Sequence, residues 1–156
     1  MAQRTEVPPD MLARIAAICL ALPAAYEERA WTGMRWMVGK KNFAHAVRIE
    51  NGWPPAYAEA AKTRGPATVL TFRSPLSRAD APELAQPPFF EPVWFEDIHG
   101  VVLDARTDWK RIAALLAASH AAVAPKRLRD EMGLAPADAG APVKPAAKAR
   151  ARSRRP

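Results

Sequence analysis

Met34–Ile49, MRWMVGKKNFAHAVRI, decides the fold. Two runs rich in β-branched and aromatic residues, MRWMV and FAHAVRI, flank Gly39-Lys40-Lys41-Asn42, a turn of hairpin length. A period of two puts Phe43, His45, Val47 and Ile49 on one face of the second strand and Ala44, Ala46 and Arg48 on the other. Downstream, Asn51-Gly52 and Pro54-Pro55 punctuate the chain. AYAEAAKTRG (56–65) reads either as a short helical turn or as part of a long loop, and Ala67–Arg73 reads as a third strand. SRADAPELAQPP (77–88) fits a short helix that Pro87-Pro88 ends, and FFEPVWFEDIHGVVLD (89–104) holds two more strands, the firmer one at Ile98–Leu103.

Two longer helices flank this region. Pro9 and Asp10 suit a first helical turn, and Met11, Leu12, Ile15, Ile18, Cys19 and Leu22 then form an apolar stripe that ends at Pro23. Thr107 or Asp108 caps the second helix, whose stripe is Trp109, Ile112, Leu115, Leu116, Ser119 and Val123. PKRLRDEM (125–132) is a last short helix. Hairpin-length links favour antiparallel pairing. The expected fold class is therefore α+β in two layers, with helices on one face of an antiparallel sheet of about five strands, in the order α-β-β-β-α-β-β-α. Between the end of the first helix and Trp31-Thr32-Gly33 the chain is read as an acidic loop.

Charge is unevenly spread. The chain carries +7 over 156 residues. Beyond Met132 stand Lys144, Lys148, Arg150, Arg152, Arg154 and Arg155 against Asp138, that is 6 − 1 = +5, which leaves 7 − 5 = +2 for residues 1–132. The basic isoelectric point thus belongs mainly to the tail. GLAPADAGAPVKPAAKARARSRRP (133–156) has too little apolar surface to offset ordering entropy and is expected to be disordered. The division expected is a lead at 1–9, a domain at 10–132 and a basic tail at 133–156. One cysteine, Cys19, excludes an internal disulfide and reads as a small buried hydrophobe. No apolar run approaches the ~18 residues of a membrane span. No membrane partner is expected, and the expected setting is cytoplasmic.

Three stretches taken together carry a resemblance. They are LPAAYEERAWTGMRWMVGKKNFA (22–44), PPFFEPVWFEDIHGVVLD (87–104) and TDWKRIAALLAASHAAVAPKRL (107–128). In this order they resemble the MmcQ/YjbR family of small bacterial proteins, over roughly Asp10–Met132. Where members similar to this chain commonly carry Tyr after Ser, this chain has His120. The resemblance implies an antiparallel α/β domain and a DNA-binding label that comes from likeness to a double-wing fold. It implies no catalytic residues.

The residues themselves set the candidates. His45, His99 and His120 lie on separate elements without metal-ligand spacing, no phosphate-binding glycine loop or nucleophile elbow is present, and neither a metal nor a cofactor is expected. No catalytic set is assigned and the chain is read as a non-enzyme. Candidates for nucleic-acid contact are Lys40 and Lys41 at a hairpin tip, Arg48 and Arg73 on strands, Lys126, Arg127 and Arg129 in the last helix, and the six tail cations. The bland alternative pairs Lys126 and Arg127 with Asp130 and Glu131. Trp36, Trp94, His99, Trp109 and His120 are the candidates for a pocket, and Trp53 is the tryptophan expected to be exposed. A Trp-lined ligand-binding or catalytic cleft and a protein-interaction module stand as alternatives, with a monomer or weak dimer as the expected state.

Overall fold

The computed structural model describes residues 6–74, 81–92 and 97–133. The expected hairpin forms: β2 (Met34–Val38) pairs antiparallel with β3 (Lys41–Ile49) around Gly39 and Lys40. β4 (Ala67–Arg73) pairs with the other edge of β3, then β6 (Ile98–Leu103) with β4, and the two-residue β5 (Phe89–Phe90) closes that side.

Among the described residues the sheet has six strands, not about five, in the order β1-β2-β3-β4-β6-β5. The additional strand is β1, Tyr26–Arg29, within the segment read as an acidic loop. Three of its four residues are charged, so it shows no apolar alternation. Its charges are satisfied sideways instead. Glu27 faces Trp36 across the ladder and accepts its Nε1–H at 3.0 Å, and Glu28 faces Arg35 and pairs with it at 2.9 Å. Charge on an edge strand also discourages pairing with other chains.

Register divides the sheet into two faces. Ala44, Phe72 and His99 stand opposite one another, as do Ala46, Leu70 and Val101. This face takes the long helices α1 (Pro9–Leu20) and α3 (Trp109–Val123), which contact each other and the sheet as the two expected stripes require. The other face carries His45, Val47, Ile49 and Val69, covered by α2 (Pro55–Ala61) and Phe90. The ambiguous stretch after Pro55 is therefore a helix, and it lies on the face opposite α1 and α3. Central strands β3 and β4 are buried on both faces.

A bulge corrects one detail of the expected alternation. Register shifts between Trp36 and Met37, whose partners are Ala44 and Asn42, so Phe43 is the unpaired extra residue. Its ring meets His120 of α3 edge-on at 5.2 Å, whereas His45 meets Tyr57 of α2. Phe43 thus leaves the His45 face and joins the core under α3. Cys19 is fully buried there, as expected of a small hydrophobe, and burial together with Glu27 pushes its thiol up to about 12.

Between Arg73 and β5 the expected short helix is a single 3-10 turn at Pro82–Ala85, with residues 75–80 outside the described set. The chain divides at Val123/Ala124, and the second unit opens with α4 (Lys126–Glu131), where Lys126 pairs with Asp130 at 3.0 Å. The tail lies outside the described residues. Among the described residues no helix is long and apolar enough to cross a membrane.

Ser119 of α3 fastens helix to sheet. Its hydroxyl donates to the Phe43 carbonyl at 2.6 Å and accepts the Arg73 N–H at 2.8 Å, joining β3 and β4 at one buried atom. Ser119→Ala leaves both backbone groups short of a buried partner. A loss of about 1–3 kcal/mol in urea unfolding is expected; an unchanged midpoint would contradict the role.

Candidate functional site

One row of residues crosses the whole sheet on the α2 face. Glu28, Arg35, His45, Thr71, Gly100 and Phe90 are successive cross-strand partners from β1 to β5. His45 is its centre and is buried. Its Nε2 lies 2.8 Å from the Thr32 carbonyl, which can only accept, so Nε2 carries the proton. Nδ1 is then an acceptor and receives a hydrogen bond from the Tyr57 hydroxyl at 3.0 Å. Burial lowers the His45 pKa below its usual 6.5, the Thr32 hydrogen bond opposes that shift, and nearby Arg35 adds to it. Burial pushes Tyr57 up to about 12. A neutral imidazole with both nitrogens engaged and a phenol this reluctant to ionise are poor acid–base catalysts. The pair acts as a brace between the turn that holds Thr32 and helix α2.

The structure sorts the cations named from sequence. Arg48 reaches the Thr68 hydroxyl at 3.0 Å and Glu50 at 3.4 Å, while Arg73 holds Asp97 at 3.0 Å. Arg29, Arg35 and Arg111 likewise hold Glu6, Glu28 and Glu83. Lys126 has Asp130, as the bland alternative has it. Lys40 and Lys41 are exposed and have no carboxylate partner among the described residues. Beside them the Tyr26 hydroxyl donates to the Gly39 carbonyl at 2.8 Å, so a half-exposed aromatic ring lies at the hairpin tip. Arg127 and Arg129 sit in α4, and Lys144, Lys148, Arg150, Arg152, Arg154 and Arg155 lie outside the described residues.

Of the residues expected to line a pocket, Trp36, His99, Trp109 and His120 line none of three clefts found among the described residues. Trp36 and His120 are buried in the core, His120 with Nε2 2.8 Å from the Pro23 carbonyl. His99 is buried against Phe72, with Nδ1 3.8 Å from Glu91. Trp109 is half-buried under the Arg14 guanidinium, 5.1 Å above its ring. Trp94 lies outside the described residues. A cleft of about 450 Å³ does open where β6 leads into α3, but Phe89, Val102 and Ile112 form its floor and the Glu83–Arg111 pair its rim, with no tryptophan in its lining.

Sequence reasoning named Trp53 as exposed and missed its companion. Trp31, 68% exposed, meets Trp53, 44% exposed, edge-to-face at 5.9 Å. The two lie 22 residues apart on different turns, so only the strand register could have joined them. Clefts of about 340 and 460 Å³ flank the turn that carries Trp53, and Arg64 lines both.

Compared with known families and curated proteins, the chain matches no family model and no curated relative. Its function is therefore read from geometry.

The His45 brace makes stability depend on pH. Unfolded, His45 takes up a proton near its usual 6.5; folded, it does so only at lower pH. As pH falls through that interval the unfolded state binds the proton first, so stability present above 6.5 is progressively lost. His45→Gln keeps a donor for Thr32 and an acceptor for Tyr57 but does not titrate. Thermal melts between pH 7 and 5 should fall less for His45→Gln than for the parent; parallel curves would remove His45 from the acid response.

Proposed function

We propose that this chain is a non-enzymatic nucleic-acid-binding protein in which the basic tail supplies most of the affinity and the β2–β3 hairpin tip adds a contact from the folded domain. The observation that carries the reading is the contrast among cations. The strand arginines are neutralised by neighbouring carboxylates, whereas Lys40 and Lys41 stand exposed at the end of the hairpin with no carboxylate partner among the described residues, next to the Tyr26 ring. A two-stranded wing that presents lysines can reach phosphates. The resemblance to the MmcQ/YjbR family, with its DNA-binding label, agrees with this reading. A cytoplasmic setting goes with it.

Affinity of this kind is electrostatic and falls with salt at a slope near ~0.9 per neutralised phosphate. Six tail cations outnumber the two at the hairpin tip, so the tail dominates. In fluorescence anisotropy with random duplex DNA at two salt concentrations, deleting residues 133–156 should remove most of the binding. Lys40→Ala with Lys41→Ala in the full chain should reduce the salt slope by about 1–2. Absence of binding by the full chain at low salt would falsify the proposal.

A further inference from the structure

Two exposed tryptophans in contact call for an explanation that the hairpin tip does not supply. Single exposed apolar residues are ordinary on a protein surface, but a contiguous aromatic patch marks a binding site. Both rings are also held on rigid turns. Trp31 sits in the turn Ala30–Gly33, which the Ala30 N–H closes onto the Gly33 carbonyl at 3.1 Å. Gly33 has φ +74, and a Cβ there would collide with the Ala46 carbonyl, so the turn lies flat on central strand β3. The Thr32 carbonyl in the same turn is held by His45. Trp53 closes a two-residue loop in which Glu50 and Trp53 exchange backbone hydrogen bonds at 3.0 and 2.9 Å. Asn51 (φ 54) and Gly52 (φ 73) take the left-handed conformations that such a loop demands.

Charge beside the rings decides what fits. The Arg64 guanidinium lies against Gly52, where a Cβ would approach Nη1 to 2.7 Å, and Nη2 donates to the Asn51 carbonyl at 3.2 Å. Arg64 has no carboxylate partner among the described residues. Glu50 is already engaged with Arg48, while Lys62 and Glu59 line the larger cleft with Arg64. The Arg64 guanidinium, set against Gly52 and bonded to the Asn51 carbonyl, brings an anion contact to the turn that carries Trp53, whose open ring offers a π face together with Trp31. An apolar peptide uses only the rings; a nucleobase uses a ring face and its phosphate takes the charge of the guanidinium.

We propose that Trp31 and Trp53 form a stacking corner for the bases of single-stranded nucleic acid, with Arg64 contacting the phosphate beside the stacked base. This rests on the nucleic-acid reading above and names the form of nucleic acid that the folded domain selects. Every base has a stackable face, so the corner is indifferent to sequence; in a duplex those faces are already stacked on neighbouring bases, so the corner excludes paired strands.

The test uses the full chain and three probes: fluorescent oligo(dT), the same strand annealed to oligo(dA), and dTMP as competitor. Trp31→Ala with Trp53→Ala should weaken oligo(dT) binding by about 5- to 100-fold and leave duplex binding unchanged. Trp31→Phe with Trp53→Phe should retain most of the single-strand affinity, which separates stacking from damage to the turns. Equal single-strand binding by the parent and the alanine variant overturns the corner while the nucleic-acid reading stands. Loss of binding to every probe by the parent chain overturns both. Competition by dTMP as effective as by oligo(dT), nucleotide for nucleotide, reassigns the corner to free nucleotides. A parent dimer that the alanine variant dissociates assigns the tryptophans to self-association.

Discussion

His45 is the residue on which the arrangement of the α2 face depends. It occupies the middle of a central strand, yet it is polar, and both of its nitrogens reach elements far away in sequence. Nε2–H binds the Thr32 carbonyl, in the turn that carries Trp31, and Nδ1 receives the Tyr57 hydroxyl, two residues after Pro55 opens α2. Burial keeps the ring neutral, which is the state that can donate at one nitrogen and accept at the other. A leucine of similar size would fill the space and leave the Thr32 carbonyl and the Tyr57 hydroxyl to compete for water. The polar brace therefore fixes a turn and a helix at once.

The distribution of paired and unpaired cations gives the surface its character. Arginines projecting from the strands meet glutamate or aspartate on a neighbouring strand or loop, and such exposed pairs contribute little to stability. Their effect is to flatten the field over the sheet. Among the described residues Lys40 and Lys41 at one turn and Arg64 beside another have no carboxylate partner, and each stands where a loop can meet a ligand. With only +2 over residues 1–132, location rather than total charge is what the domain offers to a polyanion.

Much of the fold was legible because local chemistry and tertiary structure agree. The 34–49 hairpin, the Ala67–Arg73 and Ile98–Leu103 strands and the two long amphipathic helices all follow from period and punctuation. β1 escaped because Tyr26-Glu27-Glu28-Arg29 has no apolar face; its pairing is decided by charges and by the Trp36 indole on the next strand, which periodicity does not register. Phe43 escaped its expected face because one bulge reverses the alternation on one side of it. The candidate site was less legible for a related reason. Trp36, Trp109 and His120 were chemically suitable for a pocket, but Trp36 and His120 serve the core and Trp109 lies under Arg14, and the exposed pair Trp31 and Trp53 meets only through the folding of β1, β2 and β3. Exposure is a property of tertiary structure, and a list of aromatic residues does not contain it.

The most direct measurement of this account is a long-range 1H–15N correlation spectrum of the imidazole side chains, followed as pH falls from about 7.5 through the usual histidine range. The brace requires neutral His45 to be locked in the Nε2–H tautomer, with one pyrrole-like and one pyridine-like nitrogen resonance, and to take up its proton at lower pH than an ordinary histidine. The Nδ1–H tautomer, or protonation at or above the usual 6.5, would contradict it, because neither state can donate to the Thr32 carbonyl while accepting from Tyr57.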